Sequence, residues 1–283
     1  HQFSEELRYA GTFGPLKATL GLYYFSQNYF YIERRVLSGG AVDRAFGGRI
    51  DQDSWGALSQ LRYDIRAGLS LVGGPRYSWE RKKADVATFR APGLCDLDAR
   101  TCDFDFPGEF PGATGVKSWG SLTPKLGFQY EPGRDLLLYG SWSRGIRSGG
   151  FNVKSTAATI PPGPYDMETQ DAFELGWKSS FLDRRVRFNA AIFQSTLRDL
   201  QRDINIPDPV SGVVQVTSNV GTARVRGAEG ELTFAPFRGL TLGGSFGHLN
   251  GKYTKLAVDL NGAASGLGYE LDLPRLPKWS FGA

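Results

Sequence analysis

A chain of 283 residues with 41% apolar content is long enough to bury a core as one or two domains, and its bulk composition is not that of a disordered chain. Its net charge of +4 comes from 33 basic and 29 acidic side chains mixed along the sequence, so no basic stripe points to a nucleic acid. Two histidines and two cysteines leave little for a zinc site, and the absence of any run of about 18 apolar residues excludes a transmembrane helix.

The opening HQFSEELRY has neither the basic start nor the apolar core of a signal peptide, and the only methionine is Met167. The chain therefore reads as an internal piece of a longer protein. Along it, residue polarity alternates. From Trp55 the odd positions are Trp55, Ala57, Ser59, Leu61, Tyr63 and Ile65, while the even ones include Gln60, Arg62 and Asp64. That is the period of two that gives a strand one apolar face. Leu69, Leu71, Tyr77 and Trp79 repeat it against Ser70, Arg76 and Glu80. Leu122, Leu126, Phe128 and Tyr130 alternate with Ser121, Thr123, Lys125 and Gln129. Phe173, Leu175 and Trp177 alternate with Glu174 and Lys178, and Leu232 and Phe234 with Glu231 and Thr233.

The connections alternate in length. Short turns are expected at residues 13–15, 65–68, 131–134, 182–185 and 236–239, several carrying Gly, Pro or Asp. Long polar connections are expected at residues 26–54, 82–117, 146–168, 201–219 and 254–273. A soluble sandwich has no reason to gather every long loop at one end, whereas an outer-membrane barrel has short turns at one rim and long external loops at the other. The expected fold is all-β: an up-and-down antiparallel transmembrane β-barrel of about 11 strands, paired in sequence order. Single-chain bacterial barrels have an even number of strands, and the last strand here starts near Pro277 and stops at Ala283. Residues 1–283 are therefore expected to form a single partial barrel domain, about 11 strands of a probable 22.

One stretch, LLLYGSWSRGIRSGGFN at residues 136–152, begins as a strand and ends in small residues and arginines, with no group suited to catalysis. It resembles the strand-to-loop signature of TonB-dependent receptors, Tyr-x-Ser-x-Ser-Arg-Gly-x-Arg-Ser-Gly-Gly-Phe, at Tyr139, Ser141, Ser143, Arg144, Gly145, Arg147, Ser148, Gly149, Gly150 and Phe151. Two more family-like patterns follow in order: Tyr165, Glu168 and Thr169 with Glu174, Gly176 and Lys178, then Asn219, Gly221, Arg226, Gly227, Glu229 and Glu231. Met167 and Phe173 depart from residues frequent in the family, without altering the strand reading. The resemblance implies a ligand-gated transporter of the Gram-negative outer membrane rather than an enzyme, siderophore-bound iron being the commonest ligand class. It implies no cofactor. The implied partners are outer-membrane lipid and lipopolysaccharide, an external ligand such as a ferric siderophore, a plug domain and a TonB-type energy-coupling protein. The plug and the TonB-contacting segment are absent from this stretch.

On that resemblance Tyr139, Gly145, Gly149, Gly150, Glu168, Glu174, Gly176, Gly221, Gly227, Glu229 and Glu231 are structural residues of the motifs. Candidates for the ligand or the rim are Arg144, Arg147, Ser148, Asn152 and Tyr165. The two arginines have three readings: an anionic ligand, lipopolysaccharide phosphates, or acidic groups inside the barrel. Gly149 and Gly150 read as a tight turn requiring positive φ rather than a phosphate cradle, since no Walker lysine follows. Glu229 and Glu231 share a strand face and read as lumen wall rather than glycosidase carboxylates. Trp55, Trp79, Trp119, Trp142, Trp177 and Trp279 read as an interfacial belt. Cys95 and Cys102 lie in an acid-rich loop, where a disulfide is the expectation and a calcium site the alternative. A passive porin and a soluble all-β carbohydrate-binding protein are the competing functions.

Overall fold

The computed structural model describes residues 1–37, 42–90, 114–153, 163–208, 212–256 and 272–283, all strands and connections, with no helix among the described residues. The strands are β1 (Gln2–Phe13), β2 (Leu16–Leu37), β3 (Val42–Arg66), β4 (Leu69–Gly74), β5 (Arg76–Arg90), β6 (Thr114–Leu122), β7 (Lys125–Gly133), β8 (Leu136–Arg147), β9 (Glu168–Phe181), β10 (Val186–Arg198), β11 (Gln201–Asp208), β12 (Gly212–Asn219), β13 (Gly221–Phe237), β14 (Leu240–Leu256) and β15 (Trp279–Gly282).

Every pairing is antiparallel, and one sheet runs β1-β2-β3-β4-β7-β8-β9-β10-β13-β14-β15. β5 continues β4 beyond Pro75 and pairs with β3 and β6, while β6 leads into β7 across Thr123 and Pro124. A proline cannot donate to the ladder, so it marks a break in the strand. The carbonyls keep the ladder connected: Pro75 accepts from the Ser59 amide at 3.0 Å and Pro124 from the Arg144 amide at 2.9 Å. Joined across these breaks, the wall has the eleven staves expected from the sequence, in the expected order.

The faces divide as the alternation requires. Leu7, Leu22, Trp55, Leu71, Leu126, Phe128, Leu175, Trp177, Ile192, Leu232 and Phe281 are all exposed, and the register brings them to one face of the sheet. A continuous apolar surface of this extent belongs against lipid. The opposite face is polar, and its buried clusters gather toward the long-loop end. Ile50, Ala84 and Val86 pack with Phe151 and Val153, and Leu200, Val220, Ala223 and Tyr253 pack together. Short turns occupy one rim, at residues 14–15, 67–68, 134–135, 182–185 and 238–239. Gly68 needs its glycine there: φ is 79°, and a Cβ would stand 1.9 Å from the Glu131 carbonyl oxygen.

Three expected loops are corrected: within residues 82–117, residues 82–90 and 114–117 are paired strand of β5 and β6. Residues 26–54 are mostly paired strand, because β2 and β3 stay in register from Leu16↔Tyr63 to Leu37↔Val42. Beyond the lipid both faces are wet, so the polarity alternation fades while the backbone ladder continues. Residues 201–219 form the β11–β12 hairpin, closed by Ile204 and Ile206 against Val214 and Val216.

Candidate functional site

The motif strand β8 sends alternate residues to opposite sides. Leu138, Gly140, Trp142 and Arg144 share the lipid face, opposite Trp177, Leu175, Phe173 and Asp171 of β9, while Tyr139, Ser141, Ser143, Gly145 and Arg147 face the lumen. Arg144 and Arg147, three residues apart, are thus on opposite sides of the wall. On the lumen side the Tyr139 hydroxyl donates to Glu174 Oε1 at 2.6 Å. Its ring lies over Gly176, where a Cβ would come within 2.2 Å of it. Glu231 accepts from Asn189 at 3.4 Å, and Glu229 shares its face, completing a polar wall around Lys178. Gly227 leaves room for the Phe193 ring, and Gly221, at φ 142°, lets the chain pass the Lys255 carbonyl.

Past Arg147 the chain turns over the lumen as a strap. Gly150 and Tyr165 exchange backbone hydrogen bonds at 3.2 and 2.9 Å, bringing residues 148–153 beside residues 163–167. Gly149 and Gly150 were expected to supply positive φ, and neither has it. Space is what they provide: a Cβ on Gly149 would stand 2.5 Å from the Tyr165 carbonyl oxygen and 2.6 Å from the Trp119 ring. Trp119 is only 6% exposed and points inward beneath this turn, so it is not part of an outer aromatic belt. The odd positions of β6 face the lumen, opposite exposed Val116 and Leu122. Trp55, Trp142, Trp177 and Trp279 do lie on the lipid face, and Trp79 is paired beside Trp55.

Amide side chains fasten the strap. Gln201 Nε2 donates to the carbonyls of Ser148 and Asp166, each at 2.9 Å, and its backbone amide donates to Glu168 Oε2 at 2.8 Å. Asn219 Oδ1 accepts from the Asp166 amide at 2.7 Å, while its Nδ2 donates to the Asp166 and Asp199 carbonyls. Asn152 pairs with Thr217 through both its oxygen and its nitrogen, at 2.8 and 3.1 Å. Lys82 donates to the Gly149 carbonyl at 2.7 Å and pairs with Glu80 at 2.7 Å. Phe151 anchors the far end on Ile50, Ala84 and Val86. The sequence singled out Ser148, Asn152, Tyr165 and Glu168, which meet here, but not Gln201 or Lys82, and it assigned Trp119 to the outer belt. Gln201 lies 53 residues from Ser148 and carries no local signal.

Lys117 hydrogen-bonds Asp166 and holds its carboxyl below the ordinary carboxylate range, against the opposing effect of burial. The folded state thus favours the carboxylate, so this stabilisation is present above the unfolded pKa of about 3.9 and is lost as pH falls through the lower folded value. Acidification from about pH 5 to about pH 2 should lower the protection factors of the Gly150 and Tyr165 amides, taken relative to the intrinsic exchange rate at each pH. Unchanged protection would refute a role for this pair in fastening the strap. Burial pushes the Tyr165 hydroxyl up, and Arg147 pulls it the other way. Arg147 has no hydrogen-bond or salt-bridge partner among the described residues and is exposed at the lumen mouth.

Arg144, by contrast, donates to Asp171 at 2.8 and 3.0 Å on the lipid face, and Asp171 also pairs with Arg198. Gly145 is open, with nothing within 4 Å of a built Cβ. Cys95 and Cys102, with their expected disulfide, lie outside the described residues. No cluster of metal-ligating side chains occurs among the described residues.

A wall of sequential antiparallel staves, apolar outside and polar inside, with short turns at one rim and a fastened strap at the other, is a transmembrane β-barrel wall. Residues 1–283 match the family described as TonB dependent receptor-like, beta-barrel, and the chain belongs to that family. Its members are outer-membrane β-barrel proteins of Gram-negative bacteria. The chain is 25% identical over 232 residues to the ferric-pyoverdine M114 receptor PbuA of Pseudomonas sp. (strain M114), a match covering 81% of this chain and 25% of that protein. It is 26% identical over 174 residues to the ferric-pyoverdine 358 receptor of Pseudomonas putida, covering 58% of this chain and 20% of that one. The chain thus spans about a quarter or less of these relatives. Among solved structures it resembles the ferric yersiniabactin uptake receptor FyuA of Yersinia pestis, with a TM-score of 0.74 at 18% identity over 99% of this chain and 38% of that one. The siderophore receptor PiuA of Acinetobacter baumannii gives 0.68 at 18% identity, over 99% of this chain and 42% of that one. These similarities bear on the fold.

Proposed function

We propose that the protein carrying this chain is an energy-coupled outer-membrane importer of a ferric siderophore, and that the chain is part of its barrel wall and external mouth. The observation that carries this reading is the family match along residues 1–283, together with relatives whose names say that they receive ferric pyoverdine. On this reading a plug domain and a TonB-contacting segment belong to the rest of the protein, and catalysis has no place in it. The ligand enters from the long-loop side, with residues 82–117 and 146–168 contributing to its capture. Arg147 and Tyr165 offer it a charge and a ring at the mouth. Ser148 and Asn152 act one step back, by holding the strap in position. Arg144 lies on the lipid face, away from the ligand.

The test is uptake of ferric siderophore into cells with and without the inner-membrane energy-coupling partner. Accumulation should fall to background without the partner, and undiminished accumulation would favour a passive porin. Arg147→Gln should weaken ligand binding about tenfold, as expected from the loss of one charge-assisted hydrogen bond. Unaltered binding by this variant would remove Arg147 from the ligand contact.

A further inference from the structure

The β11–β12 hairpin pairs with no other strand among the described residues, which leaves each of its strands one edge without a ladder partner. Along such an edge every second residue turns its amide and carbonyl outward. On β12 the parity is fixed by Thr217. Its amide donates to Asn152 Oδ1 at 2.8 Å, and its carbonyl accepts from Asn152 Nδ2 at 3.1 Å. Gln215 and Val213 therefore point the same way. A side-chain amide carries the same donor and acceptor as a peptide group. Asn152 thus stands where the first peptide group of a third strand would stand.

The two edges of the hairpin differ. On β11 the outward positions are Gln201, Asp203, Asn205 and Pro207, and both ends of that row are closed. The Gln201 amide is taken by Glu168 Oε2 at 2.8 Å, and Pro207 has no amide to offer. Proline is an ordinary protection of a strand edge. The outward row of β12, Val213, Gln215 and Thr217, has no proline and no charge. Val213 and Gln215 are exposed, and neither makes a hydrogen bond outside the β11 ladder among the described residues. On the opposite face Val214 and Val216 are buried against Ile204 and Ile206, which holds the strand in place. The edge is open, uncharged and fixed, and it borders the strap at the mouth.

We propose that the free edge of β12 is a binding site for an extended peptide, which adds as a third strand on Val213 and Gln215 with Asn152 at its end, and that this peptide is part of the cargo arriving at the mouth. Strand addition draws its affinity from main-chain hydrogen bonds, so the edge reads a peptide by its backbone and needs no charged side chain to do so. A ligand without peptide N–H groups cannot use it. The assignment of the peptide to the cargo rests on the importer reading. The capacity of the edge for a peptide does not, and neither depends on iron.

The test uses the complete receptor in mild detergent and a blocked pentapeptide of alternating threonine and valine. Fluorescence anisotropy of the labelled peptide reads binding, and hydrogen exchange follows the receptor amides. Saturating peptide should slow exchange at Val213 and Gln215 about tenfold or more, and N-methylation of the peptide at alternate residues should weaken binding about tenfold. Gln215→Pro should weaken it about tenfold as well, because it removes an outward amide, while Gln215→Ala keeps that amide and should retain most of the binding. Pro207 fills the equivalent outward position on β11, so the hairpin accepts proline there, and retained protection of the Val214 and Val216 amides confirms that the variant is folded. Equal binding of the methylated peptide, full binding by Gln215→Pro, or exchange at Val213 and Gln215 that the peptide does not slow overturns the site. In cells, excess peptide should lower ferric siderophore uptake severalfold, and unchanged uptake would overturn the assignment to cargo. Uptake that does not need the coupling partner would sink the importer reading and leave the peptide site standing, since the measurements in detergent involve no transport.

Discussion

Gly149→Leu should unfasten the strap and raise its open population by about a hundredfold, the equivalent of about 3 kcal/mol. The Cβ alone would stand 2.5 Å from the Tyr165 carbonyl oxygen, and both its neighbours are fixed. The carbonyl is tied to Gly150 by a hydrogen bond of 3.2 Å, and the Trp119 ring is buried. Overpacking of this kind costs about 1–3 kcal/mol, and loss of the paired Gly150 and Tyr165 hydrogen bonds adds about 1 kcal/mol each. Hydrogen exchange at those two amides gives the readout. Gly145→Leu is the control, because nothing lies within 4 Å of its Cβ and the strand tolerates the change. If both leucine variants protect the strap equally, close packing at Gly149 does not hold it.

Gln201→Glu, a change of one atom, should have an effect of similar size. Gln201 is 3% exposed, and its Nε2 serves two carbonyls at once. A carboxylate oxygen in that place loses both bonds and sets a negative charge against the Ser148 and Asp166 oxygens, while the Glu168 carboxylate stays close by on the backbone amide. A buried group left unsatisfied costs about 1–3 kcal/mol, and more when charged. Gln201→Ala should fall between the parent and the glutamate variant, since it removes the donors without adding charge. Exchange at Gly150 and chemical labelling of the lumen surface under the strap measure the opening. Equal exchange in the glutamate variant and the parent would show that the clamp is dispensable.

The sequence alone determined the wall. Alternation of Leu126, Phe128 and Tyr130 with Lys125 and Gln129 is a property of the backbone period, so the strand, its two faces and the number of staves follow from local order. The turn positions follow likewise from Gly, Pro and Asp. Even the opposite facing of Arg144 and Arg147 is written in their spacing of three, although treating them as a pair hides it. Where both faces meet water, as in residues 26–54, polarity no longer alternates and the paired strands went unseen.

Only the tertiary structure decided what the motifs are for. Gly149 reads as a turn residue in isolation, and its need for space appears only once Trp119 is brought beneath it by the pairing of β5 with β6. Gln201 meets Ser148 across 53 residues, and Asn152 meets Thr217 across 65. A local period fixes which way a side chain points. Which distant side chain it meets depends on strand register and connection length, quantities set by the whole sheet rather than by any one segment.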